Sequence, residues 1–369
     1  MTPQPFALER YFAQYEFTTK YLLCASDPES MPIAELLALE EGAAERFART
    51  WLGYTESRGA PELRDAIGAL YPVTGAGGVL VHGGTQEAIF AAINCAVGAR
   101  DHLVVQFPAY QSQYSVAEGI GATASRWNVD LDGDGAPDPD ELESLLRPQT
   151  RAIVITSPSN PTGYVFDRQR LDRVVAIARK RGLWLISDEV YRGTERDLAD
   201  RHPPVCDLYE RGISLGGTAK AYGLAGLRIG WLATRDRAFY DRVAAFKDYL
   251  TICNAAPSEF LAALAMRHGD ALIARVQRIV ARNLDLLDAF FARHSEVWQW
   301  HRPRAGTTAF PRYLRGDTDA LCADLVKRAG VLLLPSSLFD AGNDRVRIGY
   351  GRENLPEALA ALERYIELL

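Results

Sequence analysis

Lys220 lies in the run SLGGTAKAYGLAGLRIGW, just after a short apolar stretch and among small residues, with Arg228 eight positions on. A lysine on a glycine-rich loop is ordinarily a solvated surface residue. Sheltered from water, the same amine loses its charge more easily and becomes a nucleophile. Three short motifs accompany it: HGGTQEA with Gly84, Thr85 and Gln86 after VLV, SPSNPTG with Asn160 after AIVIT, and SDEVY with Asp188 and Tyr191 after WLI. A fifth stretch, DLDGDGAPDPDE from Asp130 to Glu141, spaces acids at its first, third, fifth and twelfth positions with Gly135 sixth, as a calcium loop does. Pro137 and Pro139 stiffen the part that should pair as a short strand, and the preceding ATASRWNV reads as strand instead of helix. It is therefore expected to be an acidic turn that caps the helix DELESLL. The histidines are dispersed, and the five cysteines (Cys24, Cys95, Cys206, Cys253, Cys322) are widely spaced without a CxxC, so neither a metal site nor a disulfide framework is expected.

The elements that must position these groups follow from periodicity. Between about residues 79 and 235, short β-branched runs (VLVH, LVVQFP, AIVIT, WLISDEV, ISLGG, RIGWLAT) alternate with helix-like stretches such as EAIFAAINCAV and LDRVVAIARKRG. The alternation predicts an α/β fold, a mostly parallel sheet sandwiched by helices. Several of these strands run into Gly, Pro, Asn or Asp clusters, and ligands in such folds bind beyond the carboxyl ends of strands. After about residue 236 come long amphipathic stretches and then shorter strand candidates, TTAFPRYL, VLLLPS and RVRIGYG, expected to form a smaller α+β unit. The expected division is a segment 1–45 packing on the small unit, a large domain 46–250 and a small domain 251–369.

At 369 residues the chain exceeds the usual size of one core, which agrees with two packed units. Its formal charge of -6 is scattered, with no basic run to engage nucleic acid or an anionic membrane. No apolar run is long enough to span a bilayer and the first residues lack a signal-peptide pattern, so a cytoplasmic protein with a small-molecule substrate is expected.

Taken in order at the ends of successive predicted strands, the four motifs resemble those of the fold-type-I pyridoxal 5'-phosphate (PLP) enzymes of the class I/II aminotransferase family. The resemblance runs from Tyr54 in GYTESRGAPELR to Arg347 in VRIGYG. It implies PLP as cofactor, held by Lys220 as a Schiff base, and transfer of an amino group from an L-amino acid to a 2-oxo acid. It implies that Asp188 pairs with the ring nitrogen, that Tyr191 and Asn160 bond the ring's phenolic oxygen, and that Tyr110 in FPAYQS stacks on the ring. Gly84, Thr85, Gln86 and Arg228 would hold the phosphate, and Arg347 the substrate carboxylate, with Arg345 two residues away as the competing choice. Asn160 would also touch the substrate. Tyr54 matches the tyrosine that relatives lend to the neighbouring subunit's phosphate, which implies a homodimer with shared sites.

Two departures qualify the resemblance. Gly217 and Ala219 stand where relatives carry phosphate-binding hydroxyls, leaving Thr218 as the substitute. ERYF near the start, KDYLT at 247–251 and TTAFPR are similar to capreomycidine synthase-like members, which cyclise a hydroxylated arginine. Elimination, ring closure or oxidation of an arginine-like amino acid is therefore the alternative reaction, although the intact DEVY motif has the aminotransferase form. Glu16, Asp27, Glu29 and Glu56 are the acids that would select a basic substrate. A nicotinamide oxidoreductase is disfavoured because no GxGxxG follows a first strand. A PLP-binding DNA regulator is disfavoured because the chain has no spare length or basic helix.

Overall fold

The computed structural model describes residues 3–133 and 135–368. Among them, seven strands form one sheet: β1 (Val79–His82), β2 (His102–Phe107), β3 (Thr123–Asn128), β4 (Thr150–Thr156), β5 (Trp184–Asp188), β6 (Gly212–Gly217) and β7 (Gly230–Thr234). Their order is β1-β7-β6-β5-β4-β2-β3; β7 runs antiparallel to both its neighbours and the remaining pairs are parallel. The reversal has a local cause. Other connections pass through a helix, whereas residues 218–229 between β6 and β7 form only a loop with a 3-10 turn, Ala225–Leu227, without the helix that a parallel crossover ordinarily uses.

Both faces of the sheet are buried, which is why its strands read as continuous apolar runs. Ala152 and Val154 of β4 belong to one core cluster with residues of helices Thr85–Ala96 and Ser112–Ile120, while Ile153 and Ile155 join Val174 and Ile177 of helix Arg168–Arg181 on the other face. Helix packing is tight at β7, where a Cβ added to Gly230 would stand 2.3 Å from the backbone nitrogen of Thr85.

The acidic stretch after β3 behaves as a turn. Asp130 Oδ1 accepts from the N–H groups of Asp132 and Gly133, and Asp138 caps helix Pro139–Leu145. Asp134 lies outside the described residues.

The smaller unit has a three-stranded antiparallel sheet of Leu334–Pro335, Val346–Gly349 and Thr308–Ala309, covered by helices Thr318–Ala329 and Leu355–Ile366. The long helix Gly269–Arg293 joins the two units: Leu272 packs with the large unit's residues, and Val276 through Phe291 with the small unit's. Helix Ala256–Arg267 packs against Val79, Val81 and Trp231 of the large unit, and the packing partners change along the long helix. The beginning of the chain is shared as well. Leu8, Cys24 and Leu23 pack with the small unit and Tyr21 bridges Val331, whereas Leu36 and Ala43 pack with the large one. Gly230→Ala should destabilise the protein by about 1–3 kcal/mol, because the added methyl must push the helix start off the sheet; thermal unfolding of the purified variant measures this.

Candidate active site

The carboxyl ends of β1, β2, β4, β5 and β6 share one edge of the sheet, and the residues that follow them open on one cleft of about 400 Å³. Thr85 and Gln86 come from the end of β1, Tyr110 from β2, Asn160 from β4, Asp188 and Tyr191 from β5, and Lys220 from β6; Arg228 and Arg347 complete the lining. Thr85 and Lys220, 135 positions apart, therefore meet because parallel strands present all their carboxyl ends on one side, while Arg347 comes from the small unit's sheet.

Lys220 Nζ donates to Ser26 Oγ at 2.7 Å. Burial pushes its pKa down to about 8, with Asp27 pulling the other way. Asp188 is buried at the end of β5, and burial lifts its carboxyl to about 6. Two donors oppose that rise: the N–H of Val190 on Oδ1 at 3.3 Å and Gln113 Nε2 on Oδ2 at 3.1 Å. The hydroxyl of Tyr191 is fully buried with only the Ser26 hydroxyl near it, outside good hydrogen-bond geometry, and burial pushes its phenol well above the ordinary range.

Arg347 is buried and donates from Nε and Nη2 to the carbonyl of Cys24 at 3.2 and 2.9 Å, and from Nη1 to Asn160 Oδ1 at 3.2 Å. Arg345 does not share the cleft. It bridges to Arg312 just before strand Val346–Gly349, pairs with Asp132 and lines a separate cavity. Tyr110 donates its hydroxyl to Glu9 Oε1 at 3.1 Å, and its ring meets Phe6 at 4.9 Å between centroids.

Gly84, Thr218 and Tyr54 are not among the cleft-lining residues. Gly84 caps helix Thr85–Ala96 with φ 97°, and a Cβ there would come 2.6 Å from Arg228 Nη2, so its lack of a side chain lets the guanidinium lie against the helix start. Thr218 is buried, with its hydroxyl on the carbonyls of Leu224 and Ile229 at 3.3 and 3.2 Å; it holds the loop and does not face the cleft. Tyr54 is 86% exposed on this chain. The glycine at 217 has a structural reason: a Cβ would stand 2.3 Å from Thr85 Oγ1, which donates to the Gly216 carbonyl at 2.8 Å. Thr85 occupies the space that a hydroxyl side chain at 217 would need.

Of the four acids expected at the mouth, Glu16 and Asp27 line the cleft, whereas Glu29 accepts from the Glu353 N–H and Glu56 pairs with Arg64. Glu9, Ser26 and Gln113 were not singled out from sequence. Gln113 stands one helical turn after Tyr110, a spacing that could have marked it. Glu9 and Ser26 carry no local signal, because they arrive on an N-terminal segment that packs across from the other unit.

These residues fit pyridoxal phosphate. The N-terminus of a twelve-residue helix, with first-turn N–H groups that no helical carbonyl can receive, and the Arg228 guanidinium make an anion cradle at one end. The unpartnered Tyr191 hydroxyl and the under-compensated Asp188 carboxylate stand ready for polar and cationic partners, and Lys220 offers an amine of lowered basicity. In cofactor-free protein, modification of Lys220 by an amine-directed reagent, followed by mass spectrometry, should rise with pH through a midpoint of about 8; a midpoint above 10 would contradict the sheltered amine.

Residues 18–362 match the family described as Aminotransferase class I and II. Capreomycidine synthase of Streptomyces vinaceus is 31% identical over 364 residues, 96% of this chain and 92% of that protein. The crystal structure of a PLP-dependent aminotransferase from Streptococcus suis superposes with a TM-score of 0.94 at 28% identity, covering 100% of this chain and 98% of that one. The PLP-dependent cyclase OrfR superposes at 0.91 with 26% identity, covering 100% and 98%. With the cleft, its lysine and its anion cradle in place, the chain belongs to the class I and II aminotransferase family, its fold is that of the aspartate aminotransferases, and its cofactor is pyridoxal phosphate.

Proposed function

We propose that this protein is a PLP-dependent aminotransferase that moves an amino group from an L-amino acid to a 2-oxo acid, with Lys220 as the amine that holds the cofactor. The observation that carries the reading is the meeting of Lys220, Asp188, Tyr191 and Arg347 in one cleft. Bound pyridoxal phosphate supplies an aldehyde for amines and a ring that takes up the electron pair left at Cα when its proton departs. Arg347, held by Asn160 and Cys24, binds the substrate carboxylate through its planar fork. Asp188 keeps the ring nitrogen protonated, Tyr191 and Asn160 donate to the phenolic oxygen, and Tyr110 covers the ring. Lys220 Nζ would hold the cofactor and, when free, would be the base that takes the Cα proton and hands it on. Gly84, Thr85, Gln86 and Arg228 hold the phosphate, and Thr218 supports that loop.

The reading includes a cytoplasmic homodimer. Tyr54 is exposed alongside Trp51, Leu52 and Tyr249, an apolar surface that suits a second copy and would let Tyr54 reach its phosphate.

A second reading, an eliminase, cyclase or oxidase acting on an arginine-like amino acid, is favoured by the acids at the mouth. Glu9, Glu16 and Asp27 line the cleft, and burial together with Asp27 and Glu9 raises the Glu16 pKa; Asp27 has Arg352 at 2.6 Å. A substrate cation would relieve this carboxylate crowding.

Single amino acids added to the PLP-loaded protein without any oxo acid separate the two. Stoichiometric conversion to pyridoxamine phosphate with release of an oxo acid supports transamination. Return of the starting spectrum while ammonia, a cyclic product or peroxide accumulates supports the second reading. Lys220→Ala should abolish the visible band of covalently held cofactor, and an unchanged spectrum would sink the assignment. Glu16→Gln should raise KM for cationic amino acids about tenfold, roughly 1.4 kcal/mol, and leave that for alanine unchanged; equal effects on both would remove Glu16 from substrate selection.

A further inference from the structure

Gln113 takes no part in the steps above, yet its side chain is buried against the carboxylate at the centre of the site. Its Nε2 donates to Asp188 Oδ2 at 3.1 Å and to Thr156 Oγ1 at 2.9 Å. Thr156 ends β4, and its own N–H donates to Gln106 Oε1 of β2 at 2.9 Å. The chain Gln106, Thr156, Gln113, Asp188 thus ties three neighbouring strands and helix Ser112–Ile120 to one carboxylate. The amide is oriented by its setting, since a reversed amide would aim its carbonyl oxygen at the Asp188 carboxylate.

We propose that Gln113 is a positioning residue that keeps Asp188 ionised and aimed into the cleft, where it meets the protonated nitrogen of the cofactor ring. The proposal rests on the role given to Asp188 above. The titratable groups that face Asp188 are Lys220, Tyr110 and Tyr191. Burial keeps both tyrosines neutral; the Lys220 amine is a cation below about pH 8 in the apoprotein, equally in every Gln113 variant, and is engaged once the cofactor is held. The Val190 N–H and the Gln113 amide remain. Neither titrates, so both favour the carboxylate at every working pH, and the amide is the one that a side-chain substitution can remove.

The test is PLP affinity of the full-length apoprotein and its variants by equilibrium dialysis between about pH 5 and pH 9, a range that brackets Asp188's raised pKa. In the unaltered protein affinity should fall as pH drops through about 6, where Asp188 takes up its proton. Gln113→Met keeps length and apolar volume but removes the donor; its midpoint should move up by about one pH unit, with affinity lowered about twofold near pH 7 and about fivefold near pH 6. Gln113→His, which retains an N–H donor, should restore most of the loss. A Gln113→Met protein that is folded by circular dichroism and keeps the original midpoint overturns the proposal, as does Gln113→His impaired equally with it. Should Gln113→Met fail to fold, Thr156→Val frees the amide from its other anchor and should shift the midpoint the same way by less; an unmoved midpoint again overturns it. Asp188→Asn should flatten the profile, and a profile indifferent to that change would remove the role of Asp188 itself, a failure distinct from that of Gln113.

Discussion

A carboxylate buried at the end of a central strand, with fewer compensating partners than its charge needs, is the constraint around which the cleft is organised. Asp188 has a strand behind it, a neighbouring backbone N–H and one amide for support, and burial still raises its pKa to about 6. Such a group is stable only where the fold over-determines its position, and it gives a cationic ligand a reason to bind. Lys220 presents the complementary case, an amine whose burial makes the neutral, reactive form accessible near pH 8. Burial moves both groups toward neutrality, one from each sign of charge.

The second organising feature is that the cleft has two owners. Its floor belongs to the large sheet, whereas Arg347, Ser26 and the acids Glu9, Glu16 and Asp27 come from the small unit and the N-terminal segment packed on it. Arg347 is held by the Cys24 carbonyl, two residues from the serine that receives the Lys220 amine. Any relative motion of the two units would therefore alter the lysine's surroundings and the carboxylate-binding arginine together.

The glycines of the 216–230 region show how one departure from a pattern can be absorbed. Read along the chain, Gly217 is a lost phosphate donor. In space, Thr85 fills the volume that a side chain at 217 would occupy, and Gly230 lets the strand approach the same helix start.

The sequence by itself determined the alternation of strand and helix, the carboxyl-end location of Lys220, Asp188, Asn160 and Tyr191, and the α/β class, because periodicity and strand-end chemistry are local properties of a few neighbouring residues. It also marked the acidic stretch after β3 as a turn, through its prolines. Tertiary structure decided what depends on long-range packing. It placed Arg347 and not Arg345 at the cleft, turned Thr218 into its own loop, brought Glu9 and Ser26 to the cleft and set Gln113 behind Asp188. Each of these turns on which side chain faces which element once the chain has packed, and no local pattern encodes that choice.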